Sequence, residues 1–145
     1  MTARDFLLLA NRLLKDATEA DWRTAVSRGY YAAFHVAREL LRDLGFSVPM
    51  TDRAHKYLAF RLSNCGDATI RSAGVDLDRL RDRRNEADYA LQLSFSQTAA
   101  TSEVRLAENI IRALDFARQE PARTQITDAM KIYERDVLQD VTWKP

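Results

Sequence analysis

Residues 21–44 read DWRTAVSRGYYAAFHVARELLRDL, and this stretch decides the fold class. Its apolar residues recur every three or four positions, which is the period of an amphipathic α-helix. They are Trp22, Ala25, Val26, Ala33, Val36, Ala37, Leu40 and Leu44. Asp21 is the predicted N-cap, and Gly45 followed by Pro49 ends the segment. The pattern therefore predicts a long helix from about Asp21 to Leu44.

The same period continues on both sides of this helix. Further helices are predicted over about 2–17, from a Thr51 cap to Leu62, from Asp67 to Leu93, from a Ser96 cap onward, and after Pro121. Only four Gly and three Pro interrupt the chain, so the connections are short. This arrangement predicts an all-α, antiparallel up-down bundle of four or five helices with an extra C-terminal helix. The expected division is a bundle over 1–118 and a helical extension over 119–145.

Composition and charge narrow the classes of function. A chain of 145 residues with 46% hydrophobic residues fits one soluble domain. The formal net charge of +1 gives no global electrostatic case for nucleic acid. The cations are mostly arginine, which suits phosphate, although high genomic G+C content would give the same bias.

Localisation is predicted from cysteine use and hydropathy. The single Cys65 cannot form an internal disulfide, which favours a reducing compartment. No apolar run reaches 18 residues, and residues 1–16 do not resemble a signal peptide. We expect a cytoplasmic protein with no membrane segment.

A polar stripe on the predicted second helix is the first candidate for a functional surface. Arg28, Tyr31, His35, Arg38 and Arg42 follow helical spacing and share one face. Guanidinium groups hold phosphates and aromatic rings stack on bases, so the stripe suits single-stranded RNA. A solvated helix face is the alternative interpretation.

A second polar cluster interrupts the core stripe of the predicted fourth helix. Arg84 falls in line with Leu77, Leu80 and Ala87, and an arginine in such a position is rarely buried without a partner. The residues beside it are Asn85, Asp88 and Tyr89. The cluster is either a functional site or an ion-pair and hydrogen-bond network that fixes helix packing.

These two segments carry a resemblance to a known family. Residues 27–35, SRGYYAAFH, followed about 50 residues later by residues 84–89, RNEADY, resemble the paired signature of UPF0332-type proteins in the HEPN superfamily. His55, in the segment RAHK, is similar to a third, weaker element. The resemblance spans about residues 1–118. It implies a helical bundle that commonly dimerises, and often a metal-independent ribonuclease that serves as a toxin paired with a nucleotidyltransferase antitoxin or as an antiviral component.

The chain departs from the family's usual catalytic motif, which is an Arg followed after four to six residues by a His. No His follows His55 anywhere in the sequence, so Arg84 lacks that partner. The candidate catalytic residues are Arg84, Asn85, Asp88 and His35, with His55 as a second candidate imidazole. Arg28, Tyr31 and Arg38 are the candidate RNA-binding residues, and Tyr89 is a candidate target for modification by a partner enzyme. No cofactor or metal site is expected, because two His and one Cys are widely spaced and no Gly-rich phosphate loop is present.

Three hypotheses for function follow. The first is an RNA-directed HEPN effector, a metal-independent endoribonuclease acting as a homodimer. The second is a non-catalytic binding module paired with a nucleotidyltransferase antitoxin or another partner. The third is an assembly protein that uses the helix after Pro121, with Trp143 anchoring it on a neighbouring chain. The remaining large aromatic residues are expected in the core: Trp22, Phe34, Phe60, Phe95 and Phe116.

Overall fold

The structure is a computed structural model that describes residues 1–145, and its regular elements are all helices. The elements are α1 (Ala3–Leu13), α2 (Glu19–Asp43), α3 (Arg53–Ser63), α4 (Ala68–Tyr89), α5 (Gln97–Phe116) and α6 (Ala122–Tyr133), which a π-helical turn at Glu134–Leu138 extends. None of them combines the length and the apolar character needed to cross a membrane. The predicted all-α bundle with an extra C-terminal helix is confirmed.

Helix α2 is the centre of the bundle because its apolar stripe is buried on several sides. It packs against α1, α4 and α5, while α3 packs mainly against α4. Ala25, Val26, Ala33 and Leu40 of the predicted stripe are completely buried. Burying this stripe provides most of the helix's stability, because an isolated helix gains little from propensity alone.

The predicted helix starts are confirmed where a side chain accepts the first free N–H groups. Asp67 and Ser96 cap α4 and α5. For α2 the prediction was wrong by three residues, because Thr18 and not Asp21 is the N-cap. The hydroxyl of Thr18 accepts a hydrogen bond from the Asp21 backbone N–H (3.2 Å) and donates one to the Asp21 carboxylate (2.6 Å). Asp21 therefore supports the cap from within the first turn.

Other boundaries also differ from the prediction. α1 ends at Leu13, well before residue 17, and α3 begins after Asp52 without a side-chain cap at Thr51. α4 ends at Tyr89, four residues before Leu93.

The end of α4 is fixed by an arginine from α2. Arg23 is buried and donates hydrogen bonds to the carbonyl groups of Glu86, Ala87, Ala90 and Leu93. Carbonyl groups at the C-terminus of a helix lose their helical partners, and no glycine is present to end α4 in the usual way. Arg23 therefore holds the last turn of α4 and the following loop against α2.

Two predicted core aromatics lie on the surface. Phe60 is 47% exposed and Phe116 is 62% exposed, so both predictions were wrong. Phe116 lies two residues, about 200°, beyond the buried Leu114 on α5, and this turns it away from the core. Phe34 and Phe95 are buried as predicted, and Trp22 is half-buried.

The C-terminal segment folds back onto its own bundle. Glu134 is fully buried and accepts hydrogen bonds from Nε of Arg61 (2.8 Å) and from the backbone N–H of Thr142 (2.9 Å). The indole N–H of Trp143 donates to the carbonyl of Leu44 (2.8 Å). Trp143 thus anchors the segment on the end of α2 in the same chain, and not on a neighbour as expected.

Candidate functional site

The candidate site is built around Arg84, which points from α4 toward α2. Only 8% of Arg84 is exposed, and its guanidinium lies over two consecutive rings of α2. The guanidinium carbon is 5.4 Å from the Tyr30 ring centre and 5.2 Å from the Tyr31 ring centre. The tyrosines are close enough for cation–π attraction at both rings.

The charge of Arg84 is only partly compensated within the chain. Its nearest carboxylate oxygen, on Asp88, is 3.8 Å away, and its Nε atom is buried without a hydrogen-bond partner. Burying a charge costs several kcal/mol of desolvation free energy. The two cation–π contacts together return only about 1–4 kcal/mol of that cost. The balance favours an additional anion beside Arg84.

A polar chain connects this arginine to the start of the motif on α2. The Ser27 hydroxyl donates to Asp88 (3.2 Å) and accepts a hydrogen bond from Arg28 (3.2 Å). Ser27 is buried, so the contact fixes α2 against the last turn of α4. The network predicted as the alternative for Arg84 and Asp88 exists in this limited form.

Tyr31 lies between two guanidinium groups. The guanidinium carbon of Arg28 is 5.1 Å from the centre of the Tyr31 ring, and the guanidinium carbon of Arg84 is 5.2 Å from the same centre. Arg28 also lies over Phe6 of α1, at 5.3 Å. Alternating cations and rings are suited to contact phosphates and to stack bases.

Both imidazoles of the chain belong to the same aromatic cluster. His55, on α3, shares a hydrogen bond with the Tyr30 hydroxyl through Nδ1. The ring centre of His55 is 4.7 Å from that of Phe34. The Phe34 ring centre is in turn 5.2 Å from that of His35. His35 also stacks on Phe6 at 5.6 Å. The bundle therefore brings α1, α2 and α3 together around the two rings.

The surroundings of His55 keep it neutral. Burial lowers its pKa to about 4, and the positive charges of Arg81 and Arg84 contribute in the same direction, while Asp52 opposes them. Burial also raises the pKa of the Tyr30 phenol. The hydrogen-bonded pair is therefore uncharged at neutral pH.

His35 is held neutral by a similar environment. Burial lowers its pKa, Arg38 and Arg28 add to the effect, and Glu39 opposes it. His35 and its neighbours Arg28 and Arg38 are all half-buried.

The remaining predicted site residues are spread around this cluster. Arg38 lies 5.9 Å from the Phe34 ring centre, and Asn85 is half-buried without a side-chain hydrogen bond. Arg42 is exposed at the far end of the stripe and contacts Met50. Tyr89 is 76% exposed at the end of α4. The stripe from Arg28 to Arg38 is half-buried and not a solvated face.

Several residues that shape the site were not among the predicted ones. They are Phe6, Ser27, Tyr30, Phe34 and Arg81. Ser27 and Tyr30 lie inside the quoted motif and could have been assigned to it. Arg81 lies three residues before Arg84 on the same helix face, which spacing alone could have indicated.

No three His, Cys, Asp or Glu side chains converge in an arrangement that could hold a metal ion. Comparison with known proteins gives one result. The family profile described as the HEPN domain matches residues 1–134. No curated protein and no solved structure matches the chain. Because the profile covers most of the chain, including both motifs and the helices that carry them, this protein belongs to the HEPN domain family.

Proposed function

We propose that this protein is an RNA-directed HEPN effector that cleaves RNA without a metal ion and acts as a homodimer in a toxin or defence system. The observation that carries the proposal is Arg84, a buried guanidinium with no hydrogen-bond partner that lies over two tyrosine rings and whose charge acts on the His55 imidazole. Such a cation is suited to a phosphate and to the negative charge that develops on it during cleavage.

The chemistry assigns a role to each part of the cluster. Cleavage requires that the 2′-hydroxyl lose a proton, that charge on the phosphorus oxygens be stabilised, and that the leaving 5′-oxygen gain a proton. Arg84 stabilises the charge, and Asn85 and Asp88 lie beside it on α4 as further candidate catalytic residues. His55 or His35 transfers protons, and Arg28, Tyr31 and Arg38 hold the flanking nucleotides.

The homodimer is proposed from the family resemblance and from apolar side chains next to the site. Tyr89, the last residue of the motif on α4, is 76% exposed, and Leu91, two residues later, is 77% exposed. A second copy that covers this edge would place two Arg84 side chains near one RNA strand.

The proposal is tested with purified protein and RNA in the presence of EDTA. Wild type is expected to cleave total RNA or transfer RNA, and Arg84→Ala is expected to lose this activity. Arg79→Ala is the matched control, because Arg79 lies on the same helix with a 73% exposed side chain. Intact RNA at high wild-type concentration, or equal cleavage by both variants, would overturn the proposal.

A second candidate is a non-catalytic HEPN binding module paired with a nucleotidyltransferase. It is favoured by the absence of a His after Arg84 and by the low pKa of His55, which makes that ring a weak base. In this case the exposed Tyr89 hydroxyl is the proposed target of nucleotide transfer from the partner. RNA that is bound but remains intact would support this candidate.

A further inference from the structure

Arg81 and Arg84 form a pair of guanidiniums, and the roles above leave Arg81 unexplained. They are three residues apart on α4 and therefore share a helix face. Neither side chain donates a hydrogen bond within the chain, and the Nε atoms of both are buried without a partner. Arg81 also has no ion pair. Two buried Nε–H donors without a partner, three residues apart on one helix, are unusual, since buried donors are nearly always satisfied.

The hydrogen-bonded pair of Tyr30 and His55 lies within the electrostatic reach of both arginines. The guanidinium of Arg84 contacts the Tyr30 ring directly. The charges of Arg81 and Arg84 both act on the phenol and on the imidazole. The Tyr30–His55 pair is therefore next to two positive charges.

The nearby carboxylates leave this positive charge largely uncompensated. Asp78 acts on Tyr30, but it is engaged by Lys56 at 3.2 Å. Asp52 acts on His55 from the start of α3 and forms no ion pair with either arginine. Asp88 approaches Arg84 only to 3.8 Å.

We propose that Arg81 and Arg84 together bind one tetrahedral oxyanion beside the Tyr30–His55 pair, and that the bound anion draws a proton from solvent onto His55. The inference rests on the proposed function, in which this anion is a phosphate of the RNA backbone. It adds Arg81 as a phosphate-binding residue and makes His55 a proton donor whose protonated fraction rises when substrate binds.

Two observations support the coupling between anion and proton. The guanidinium group presents paired N–H donors that match two oxygens of a phosphate, so two of them can neutralise most of its charge. The same two cations help to hold the pKa of His55 at about 4. A negative charge within about 4–6 Å raises an imidazole pKa by about 1–3 units.

The groups that face His55 on every side agree with this behaviour. They are Arg81 and Arg84 from α4, Tyr30, Tyr31 and Phe34 from α2, and Asp52 from the turn before α3. Only Asp52 carries a negative charge among them. A bound anion would therefore be the dominant negative charge at this ring.

The test uses NMR of the imidazole side chains. The chain has only two His, so the spectrum contains two sets of ring signals, and His35→Gln assigns them. The probe is sulfate, which stays doubly charged over the range in which His55 titrates, from its pKa of about 4 upward. Sodium chloride at the same ionic strength controls for screening.

In wild type, sulfate is expected to raise the His55 pKa by about one unit or more relative to chloride. Arg81→Gln is expected to lose most of this sulfate-dependent shift, and Arg79→Gln, on the same helix, is expected to keep it. An unchanged His55 pKa in wild type with saturating sulfate would overturn the inference without any variant. An equal shift in Arg81→Gln would remove Arg81 from the site.

The outcome is separable from that of the proposed function. RNA cleavage without a sulfate effect at His55 would leave the proposed nuclease in place and reject the anion site. A sulfate effect with intact RNA would keep the anion site and favour the binding module.

Discussion

Tyr31 is the side chain through which the two cationic motifs meet. Its half-buried ring contacts Arg28 from its own helix and Arg84 from α4. The spacing on α2 indicated that Tyr31 belongs to a cationic stripe. It could not indicate that the stripe is half-buried, because that depends on how α1 and α4 pack against it.

We predict that Tyr31→Ala weakens binding of a single-stranded RNA oligonucleotide by about 5- to 100-fold, because one base-stacking contact is worth about 1–3 kcal/mol. Tyr31→Phe keeps the ring and is expected to bind nearly as tightly as wild type. Fluorescence anisotropy at constant salt measures both affinities. Equal affinity of wild type and Tyr31→Ala would contradict a stacking role.

The sequence motifs predicted many residues of the candidate site, including both imidazoles, but not the contacts between them. Arg84 was predictable because it breaks the apolar stripe of its helix. The contact between His55 and Tyr30 was not predictable, because it joins α2 and α3 across 25 positions through tertiary packing. Spacing places Arg81 on the face of Arg84, but its lack of a hydrogen-bond partner depends on tertiary packing and was not predictable.

At the scale of elements, the close approach of α3 and α4 depends on Gly74. A Cβ atom at Gly74 would lie 2.7 Å from the backbone nitrogen of Ser63 and 2.9 Å from the carbonyl carbon of Leu62. The contact is with backbone, so the helices would have to move apart. Because residue 74 is glycine, α3, which carries His55, can pack close to α4, which carries Arg81 and Arg84.

We predict that Gly74→Ala lowers the free energy of unfolding by about 1–2 kcal/mol, since overpacking outweighs the gain in helix propensity. Gly29→Ala is the matched control, because its Cβ would meet Val104 at an ordinary 3.5 Å. That variant is expected to be neutral or up to about 1 kcal/mol more stable. Urea denaturation compares the three proteins, and a Gly74→Ala variant as stable as Gly29→Ala would count against the packing argument.

Helix identities were predictable from sequence, whereas several boundaries were not. The stripe on α2 and the caps Asp67 and Ser96 are local signals, and the structure agrees with them. The end of α4 is set by Arg23, more than 60 positions earlier in the chain. No local pattern around Tyr89 contains that information.

At the scale of the whole molecule, a buried ion pair closes the C-terminal segment onto the bundle. The Arg61 and Glu134 side chains are 4% and 0% exposed, and the Arg61 guanidinium also stacks on Tyr57 at 3.4 Å. Burial alone would raise the pKa of Glu134. The hydrogen bonds from Thr142 and Arg61 outweigh this and hold the pKa below its ordinary value.

We predict that Glu134→Gln lowers the free energy of unfolding by about 3 kcal/mol at neutral pH, because Arg61 is left buried without a counter-charge. Since the pKa of Glu134 is lower in the folded state, its contribution is present above about pH 4.5 and is lost as the pH falls through the folded value. The stability gap between wild type and variant should therefore narrow below about pH 4.5. Asp136→Asn, in an exposed pair with Arg135, should behave like wild type. A gap that stays constant as the pH falls would contradict this assignment.

The proposed metal-free cleavage of RNA at the Arg84 cluster is tested most directly by the chemical ends of the products. Attack by the 2′-hydroxyl leaves a 2′,3′-cyclic phosphate on one fragment and a 5′-hydroxyl on the other. We predict these ends on RNA treated with wild type in EDTA, and their absence with Arg84→Ala. Fragments with 3′-hydroxyl and 5′-phosphate ends, or no fragments from wild type, would contradict the account.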